Sequence, residues 1–177
     1  VSLVGSVMVA FQYDMGVGGV QMLNSYPIVP SLGINLTLGV DGWGVSLLLL
    51  TGLIIFTGVF ASWTLTDRVK EFHVFLLVLV TGVFGVFVSL DLFIFFLFYE
   101  IAVLPMYLLI GIWGSSHKVA EAGPFRFVWR MLDIGGKEYA AMKLTLFLLA
   151  GSALLFPALL GVYHTAGLGT FDMVALA

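Results

Sequence analysis

Four long apolar runs constrain the fold of this chain more than any other feature of its sequence. They cover about residues 43–63, 73–90, 92–113 and 143–163. Each has roughly 18–22 residues, enough for one helical crossing of a hydrocarbon layer about 30 Å thick. Inside lipid every backbone polar group needs an internal partner, and the strands of a barrel are shorter and alternate. The sequence therefore predicts an all-α fold, a polytopic transmembrane helix bundle.

The composition agrees with lipid as the solvent. The chain is 61% hydrophobic and only 10% charged, whereas a soluble domain usually has about 25% charged residues. The net charge is -3, and no basic patch exists to neutralise phosphates, so we predict no nucleic-acid partner. The chain has no cysteine, which excludes thiolate chemistry and cysteine-ligated metals.

The remaining segments complete a single membrane domain over residues 1–177. Residues 1–11 are apolar but too short for a crossing, and we interpret them as a partial N-terminal helix of a fragment of a longer protein. Residues 12–42 are predicted as an outside loop with a short hairpin, because apolar residues alternate with polar or small ones at its end. These alternating residues are Ile34, Leu36, Leu38 and Val40.

The basic residues predict the orientation. They occupy the segments 64–72 and 114–143, which fall on the same side of the membrane if the chain turns at Asp91. The positive-inside rule makes this side, with the loop 114–142, the inner side. A short interfacial helix is predicted around Arg126 and Arg130. We expect an integral, multi-pass protein of a bacterial plasma membrane, or of an equivalent inner mitochondrial or thylakoid membrane.

Glu100 is the principal candidate for chemistry. It lies nine residues into its apolar run, about 13 Å from the outer end and close to the bilayer midplane. A lone carboxylate there costs at least about 2.5 kcal/mol if ionised. It can stay protonated or pair with a cation on another helix, and its proton affinity then depends on nearby charge, as in a proton relay. The alternative is a protonated side chain that links two helices by a hydrogen bond.

Three residues near Glu100 or at the membrane edge have weaker signals. Pro105 has no N–H, so it frees the carbonyl of Ile101 and supports a helix break beside Glu100; an ordinary kink is the alternative. Asp91 is predicted to be the N-cap of the Glu100 helix. Lys143, at the inner edge, either reaches toward headgroups or ends a proton entry path.

Two further sequence patterns concern helix packing and metal binding. Small residues recur every four positions at Thr81, Gly85 and Ser89, which predicts a surface for close helix packing. The three histidines have no metal-binding spacing, so no metal site is predicted.

Two stretches resemble the antiporter-like membrane subunits of respiratory complex I, the NADH–quinone oxidoreductase, of the chain 4 or subunit M type. "VDGWGVSLLLLTGLI" (Val40–Ile54) is similar to the entry of their third helix. "DLFIFFLFYEIAVLPMYLLIGIWG" (Asp91–Gly114) is similar to their fifth helix, including Glu100 and the Pro-Met-Tyr that follows it. The resemblance covers most of the chain and implies part of an antiporter-like inverted-repeat fold.

The resemblance also implies a function. Glu100 would be a protonatable residue of a proton-translocation path, paired with a lysine on a later helix outside this chain. The chain would then be a subunit of a proton-translocating NADH:quinone oxidoreductase, without a redox site of its own. NADH, FMN, iron–sulfur clusters and quinone are expected in partner subunits, and other membrane-arm subunits are the expected partners besides lipid. The alternatives are a subunit of a multi-subunit sodium/proton antiporter and a structural membrane scaffold.

Overall fold

The computed structural model describes residues 1–115 and 136–176, and in this part the chain is mainly helical. The helices are α1 (Ser2–Gln12), α2 (Gly42–Ala61), α3 (Val69–Val88), α4 (Leu92–Trp113), α5 (Lys137–Ala166) and the single turn α6 (Met173–Leu176). The strands β1 (Gln21–Val29) and β2 (Ile34–Val40) pair antiparallel in a two-stranded sheet.

Among the described residues, helices α2 to α5 are long and apolar enough to cross a membrane. The predicted fold class, a polytopic helix bundle, is confirmed. Helices α3 and α5 begin before the predicted apolar runs, because the mixed polar and apolar residues that precede those runs are also helical. Helix α5 starts at Lys137 and has 30 residues, so residues 137–142, predicted as loop, are helical.

The helices pack mainly in chain order. Helix α1 lies on α2, where Ser6 fits against Gly52, and α4 packs between α3 and α5. The close contact between α3 and α4 is made by Gly82 and Gly85, and a Cβ on Gly85 would collide with the ring of Phe98.

The predicted packing surface on α3 is therefore partly wrong. Gly85 belongs to it, but Thr81 is exposed and its hydroxyl donates to the Leu77 carbonyl of its own helix at 2.8 Å. Gly82, three residues before Gly85, takes the contact position. At 3.6 residues per turn, spacings of three and four both keep residues on one face, and a glycine permits a closer approach than a threonine.

One end of the bundle is built around the hairpin. Leu90, in the turn between α3 and α4, donates its N–H to the Thr37 carbonyl at 2.8 Å. Two apolar clusters fill this end, one around Tyr13, Val40 and Leu48 and the other around Ile34, Ile94 and Phe171. The hairpin, the α3–α4 turn and the end of α5 therefore lie together.

The opposite end of the bundle contains Arg68, just before α3, and Lys137, the first residue of α5. The indole of Trp113 donates to the Asp67 carbonyl at 2.9 Å, and Lys137 Nζ donates to the Ile112 carbonyl at 2.6 Å. We call this the basic end of the bundle. The predicted interfacial helix around Arg126 and Arg130 lies outside the described residues.

Candidate functional site

Helix α4 begins at a fully buried carboxylate. Asp91 Oδ1 accepts the backbone N–H groups of Phe93 at 2.9 Å and Ile94 at 3.1 Å. The prediction that Asp91 is the N-cap of this helix is confirmed. Its second oxygen, Oδ2, accepts the N–H of Asn35 in β2 at 3.1 Å. One side chain therefore fixes the start of α4 to the hairpin.

The segment that follows α5 also contacts the start of α4. The Phe171 carbonyl accepts the N–H of Leu92 at 2.9 Å, and Met173 donates its N–H to the Leu90 carbonyl at 2.8 Å. The Phe171 ring stacks on Tyr163 of α5 with centroids 4.5 Å apart. The N-terminal half of α4 is thus held from both sides, which sets the position of Glu100 about two residues past the first two turns.

Glu100 lies in a lateral groove of about 710 Å³ along α4, flanked by α3 and α5. Apolar side chains make up most of its walls, among them Val74 and Val78 of α3 and Leu149 of α5. Glu100 Oε1 is buried and has no hydrogen-bond partner within residues 1–115 and 136–176. A buried acceptor without a donor costs about 1–3 kcal/mol, so this oxygen needs a proton or a cationic partner.

Pro105 removes one backbone hydrogen bond of α4 close to Glu100. Its ring is fully buried in the interior of α4. Without an N–H, it leaves the Ile101 carbonyl without the usual helical donor. Helix α4 nevertheless continues without interruption from Leu92 to Trp113. Ile101 and Glu100 both line the groove, and the support that Pro105 would give to Glu100 stays a prediction.

Lys143 does not share this groove. It is exposed and lines a separate groove of about 310 Å³ with Tyr139 and Phe147 on α5. Thr145, two residues further on, faces the Glu100 groove instead, because two residues correspond to about half a turn. The structure therefore does not bring Lys143 and Glu100 together.

Two polar residues of the Glu100 groove were not predicted, Tyr107 and Thr145. Tyr107 could have been found, because a spacing of seven residues returns to the same helix face. Thr145 could not, since its position depends on how α4 and α5 pack. In the part of the chain that the structure describes, no group of three histidine or acidic residues could hold a metal ion.

Fold and site together define an integral, multi-pass helical membrane protein with a carboxylate buried in a central helix. The family model described as NADH:quinone oxidoreductase/Mrp antiporter, TM, matches residues 89–136, which include the whole of α4. The similarity to curated relatives extends further along the chain. The resemblance to antiporter-like membrane subunits predicted from the motifs is confirmed.

Three relatives illustrate the match. NAD(P)H-quinone oxidoreductase chain 4 of Gloeobacter violaceus is 33% identical over 165 residues, which cover 93% of this chain and 28% of that protein. A chain 4 protein of Nostoc is 37% identical, covering 93% and 27% respectively. The chloroplastic chain 4 of Chara vulgaris is 39% identical, covering 71% and 25%. The chain thus spans about a quarter of the length of these relatives.

Solved structures agree on the fold. Respiratory complex I from Thermus thermophilus contains a chain that superposes with a TM-score of 0.71 at 22% identity, covering 99% of this chain and 33% of that chain. An archaeal membrane-bound sulfane sulfur reductase contains another, with a TM-score of 0.65 at 17% identity, covering 96% and 24%. Both similarities support the arrangement of helices.

Proposed function

We propose that this chain is part of a proton-translocating membrane subunit of an NAD(P)H–quinone oxidoreductase, in which Glu100 takes up and releases protons. The observation that carries the proposal is the buried Oε1 of Glu100, which has no donor among the described residues, in a side chain that lines the groove. The names of the three relatives supply the enzyme class.

The geometry suits a carboxylate whose charge changes. In an apolar groove, water screens charges poorly, so a cation that approaches Glu100 stabilises its ionised form strongly. When the cation moves away, the carboxylate binds a proton instead. We infer that the partner is a lysine elsewhere in the protein, since the described lysines lie at the basic end (Lys70, Lys137) or in another groove (Lys143).

The redox chemistry is assigned to partner subunits. The chain has no cysteine to hold an iron–sulfur cluster. We therefore propose that NADH, FMN, the clusters and quinone bind elsewhere in a membrane-arm complex, and that this chain responds to quinone reduction through charge. Which membrane contains the complex stays a prediction.

The test compares Glu100→Gln, which cannot ionise, with Glu100→Asp, which can. The variants are made in the complete subunit within its assembled complex, and NADH-driven acidification of inverted vesicles is measured. We expect Gln to abolish proton transport and Asp to retain part of it. Glu138→Gln is the matched control, because Glu138 is exposed at the start of α5, and it should behave like the wild type.

The alternatives give different results. The family description also names the Mrp antiporter, so sodium/proton exchange is measured on the same vesicles. Loss of exchange with intact NADH-driven transport in Glu100→Gln would favour the antiporter. If neither activity changes in Glu100→Gln, the side chain only packs and the scaffold alternative is correct.

A further inference from the structure

Two contacts fix the register between α4 and α5. The rings of Phe96 and Phe156 are 5.5 Å apart, and a Cβ on Gly111 would lie 3.7 Å from that of Ala141. Phe96 and Gly111 are separated by as many residues in α4 as Ala141 and Phe156 are in α5, and the contacts pair them in reverse order. The two helices are therefore antiparallel and keep one register along the whole contact.

This register places Tyr107 level with Thr145. Tyr107 lies on the same face of α4 as Glu100, nearly two turns further on. Glu100, Tyr107 and Thr145 line one groove. Two helices thus each bring a hydroxyl-bearing residue to the groove at the same level, about 10 Å along the helix axis from Glu100 in the direction of the basic end.

The groove has few other polar groups. Ile101, whose carbonyl loses its helical donor at Pro105, also lines the groove. The Thr145 hydroxyl donates to the Ala141 carbonyl at 2.9 Å, which leaves its oxygen lone pairs to accept a hydrogen bond. A file of about three water molecules, spaced by hydrogen bonds of about 2.8 Å, would bridge the distance from Tyr107 to Glu100.

We propose that Tyr107 relays protons between the basic end of the bundle and Glu100, and that Thr145 is a positioning residue for the water bound to Tyr107. The proposal rests on the proposed function of Glu100. A phenol suits this step because its oxygen accepts one proton while its own proton leaves, so the side chain stays neutral.

The atoms balance along this path. A hydronium ion on the basic side gives its excess proton to the Tyr107 oxygen and becomes water, as the Tyr107 O–H bond breaks and the Tyr107 proton passes to the next water. The last water gives a proton to the Glu100 carboxylate. Each relaying oxygen loses one O–H bond and gains one, and the net change is one proton moved onto Glu100.

The experiment uses the complete subunit in its assembled complex, with proton transport and NADH oxidation followed in H2O and D2O. Tyr107→Phe removes only a hydroxyl, and Thr145→Val removes another at nearly constant volume. We expect each to slow proton transport roughly tenfold, which is less than the roughly 10²–10⁴-fold that a positioned general acid or base contributes. Thr145→Ser, which keeps the hydroxyl, should restore most of the rate, and the D2O effect on transport should change in Tyr107→Phe.

Two control variants remove hydroxyls outside the groove. Tyr99→Phe alters the same helix at a residue that does not line the groove, and Thr81→Val removes a hydroxyl bonded within its own helix like that of Thr145. Wild-type transport in Tyr107→Phe, or an equal loss in Tyr99→Phe, would overturn the relay. If Glu100→Gln alone stops transport, the relay fails but the proposed function stands; if Glu100→Gln has no effect, both fail.

Discussion

At the scale of single residues, Asp91 joins two elements with its two oxygens. Oδ1 caps α4 through the N–H groups of Phe93 and Ile94, and Oδ2 holds β2 through the N–H of Asn35. The residue is fully buried, so water cannot replace these bonds. The two functions can be separated by substitution, because asparagine keeps one acceptor oxygen and replaces the other with a donor.

Asp91→Ala should therefore destabilise the bundle by about 2–4 kcal/mol, since it leaves several buried N–H groups unpaired. Asp91→Asn should cost less, because its oxygen can still cap α4 while the link to Asn35 is lost. The thermal midpoint of the solubilised complex measures both effects. Asp41→Asn is the control, since Asp41 caps only α2; an equal loss there would contradict a special role for Asp91.

Gly85 makes a second residue-level prediction. A Cβ at this position would collide with the Phe98 ring of α4, so Gly85→Val should force α3 and α4 apart and cost about 1–3 kcal/mol. The assembled amount of the subunit in membranes and its thermal midpoint should both fall. Gly58→Val, on α2, introduces a side chain where nothing lies within 4 Å, and a comparable loss in this control would refute the packing explanation.

At the scale of elements, the return of the chain after α5 stabilises the start of α4. Phe171 is buried between Tyr163 and Ile94, and its carbonyl pairs with Leu92. Phe171→Ala should cost about 3–5 kcal/mol, as expected for a buried phenylalanine, and should loosen α4 at its N-terminal end. Hydrogen exchange of the Leu92 amide reports this directly.

The control for this element keeps the ring contact. Tyr163→Phe removes a hydroxyl but leaves the stacked aromatic pair, so exchange of the Leu92 amide should stay slow. Fast exchange in Tyr163→Phe, or unchanged exchange in Phe171→Ala, would show that the segment after α5 does not hold α4.

At the scale of the whole molecule, the two ends of the bundle should face opposite sides of the membrane. The chain has no native cysteine, so a single cysteine introduced into it reports its side by the labelling gained over the unsubstituted protein. Thr66→Cys, at the basic end, should react with an impermeant maleimide from the inner side. Ser31→Cys, exposed in the hairpin turn, should react from the outer side. Labelling of both from one side would contradict the predicted orientation.

Much of the architecture could be predicted because its signals are local. Long apolar runs predict helices through the cost of unpaired backbone groups in lipid, and an aspartate before such a run predicts an N-cap. The bond from Asp91 to Asn35 and the position of Thr145 beside the Glu100 groove could not be predicted, because both depend on tertiary packing. The role of Glu100 itself stays a prediction, supported by its burial and by the family.

The bond from Thr170 to Gly33, at 3.4 Å, joins residues 137 positions apart in sequence. Most helix contacts in this chain are between neighbours and can form as each hairpin enters the membrane. The contact between Gly33 and Thr170 has to wait until α5 has crossed, so it forms after the contacts among α1 to α4. In a ribosome-bound chain that stops before Thr170, the hairpin should therefore lack this hydrogen bond. Formation of the bond marks the moment at which the crossings of α2 to α5 are complete.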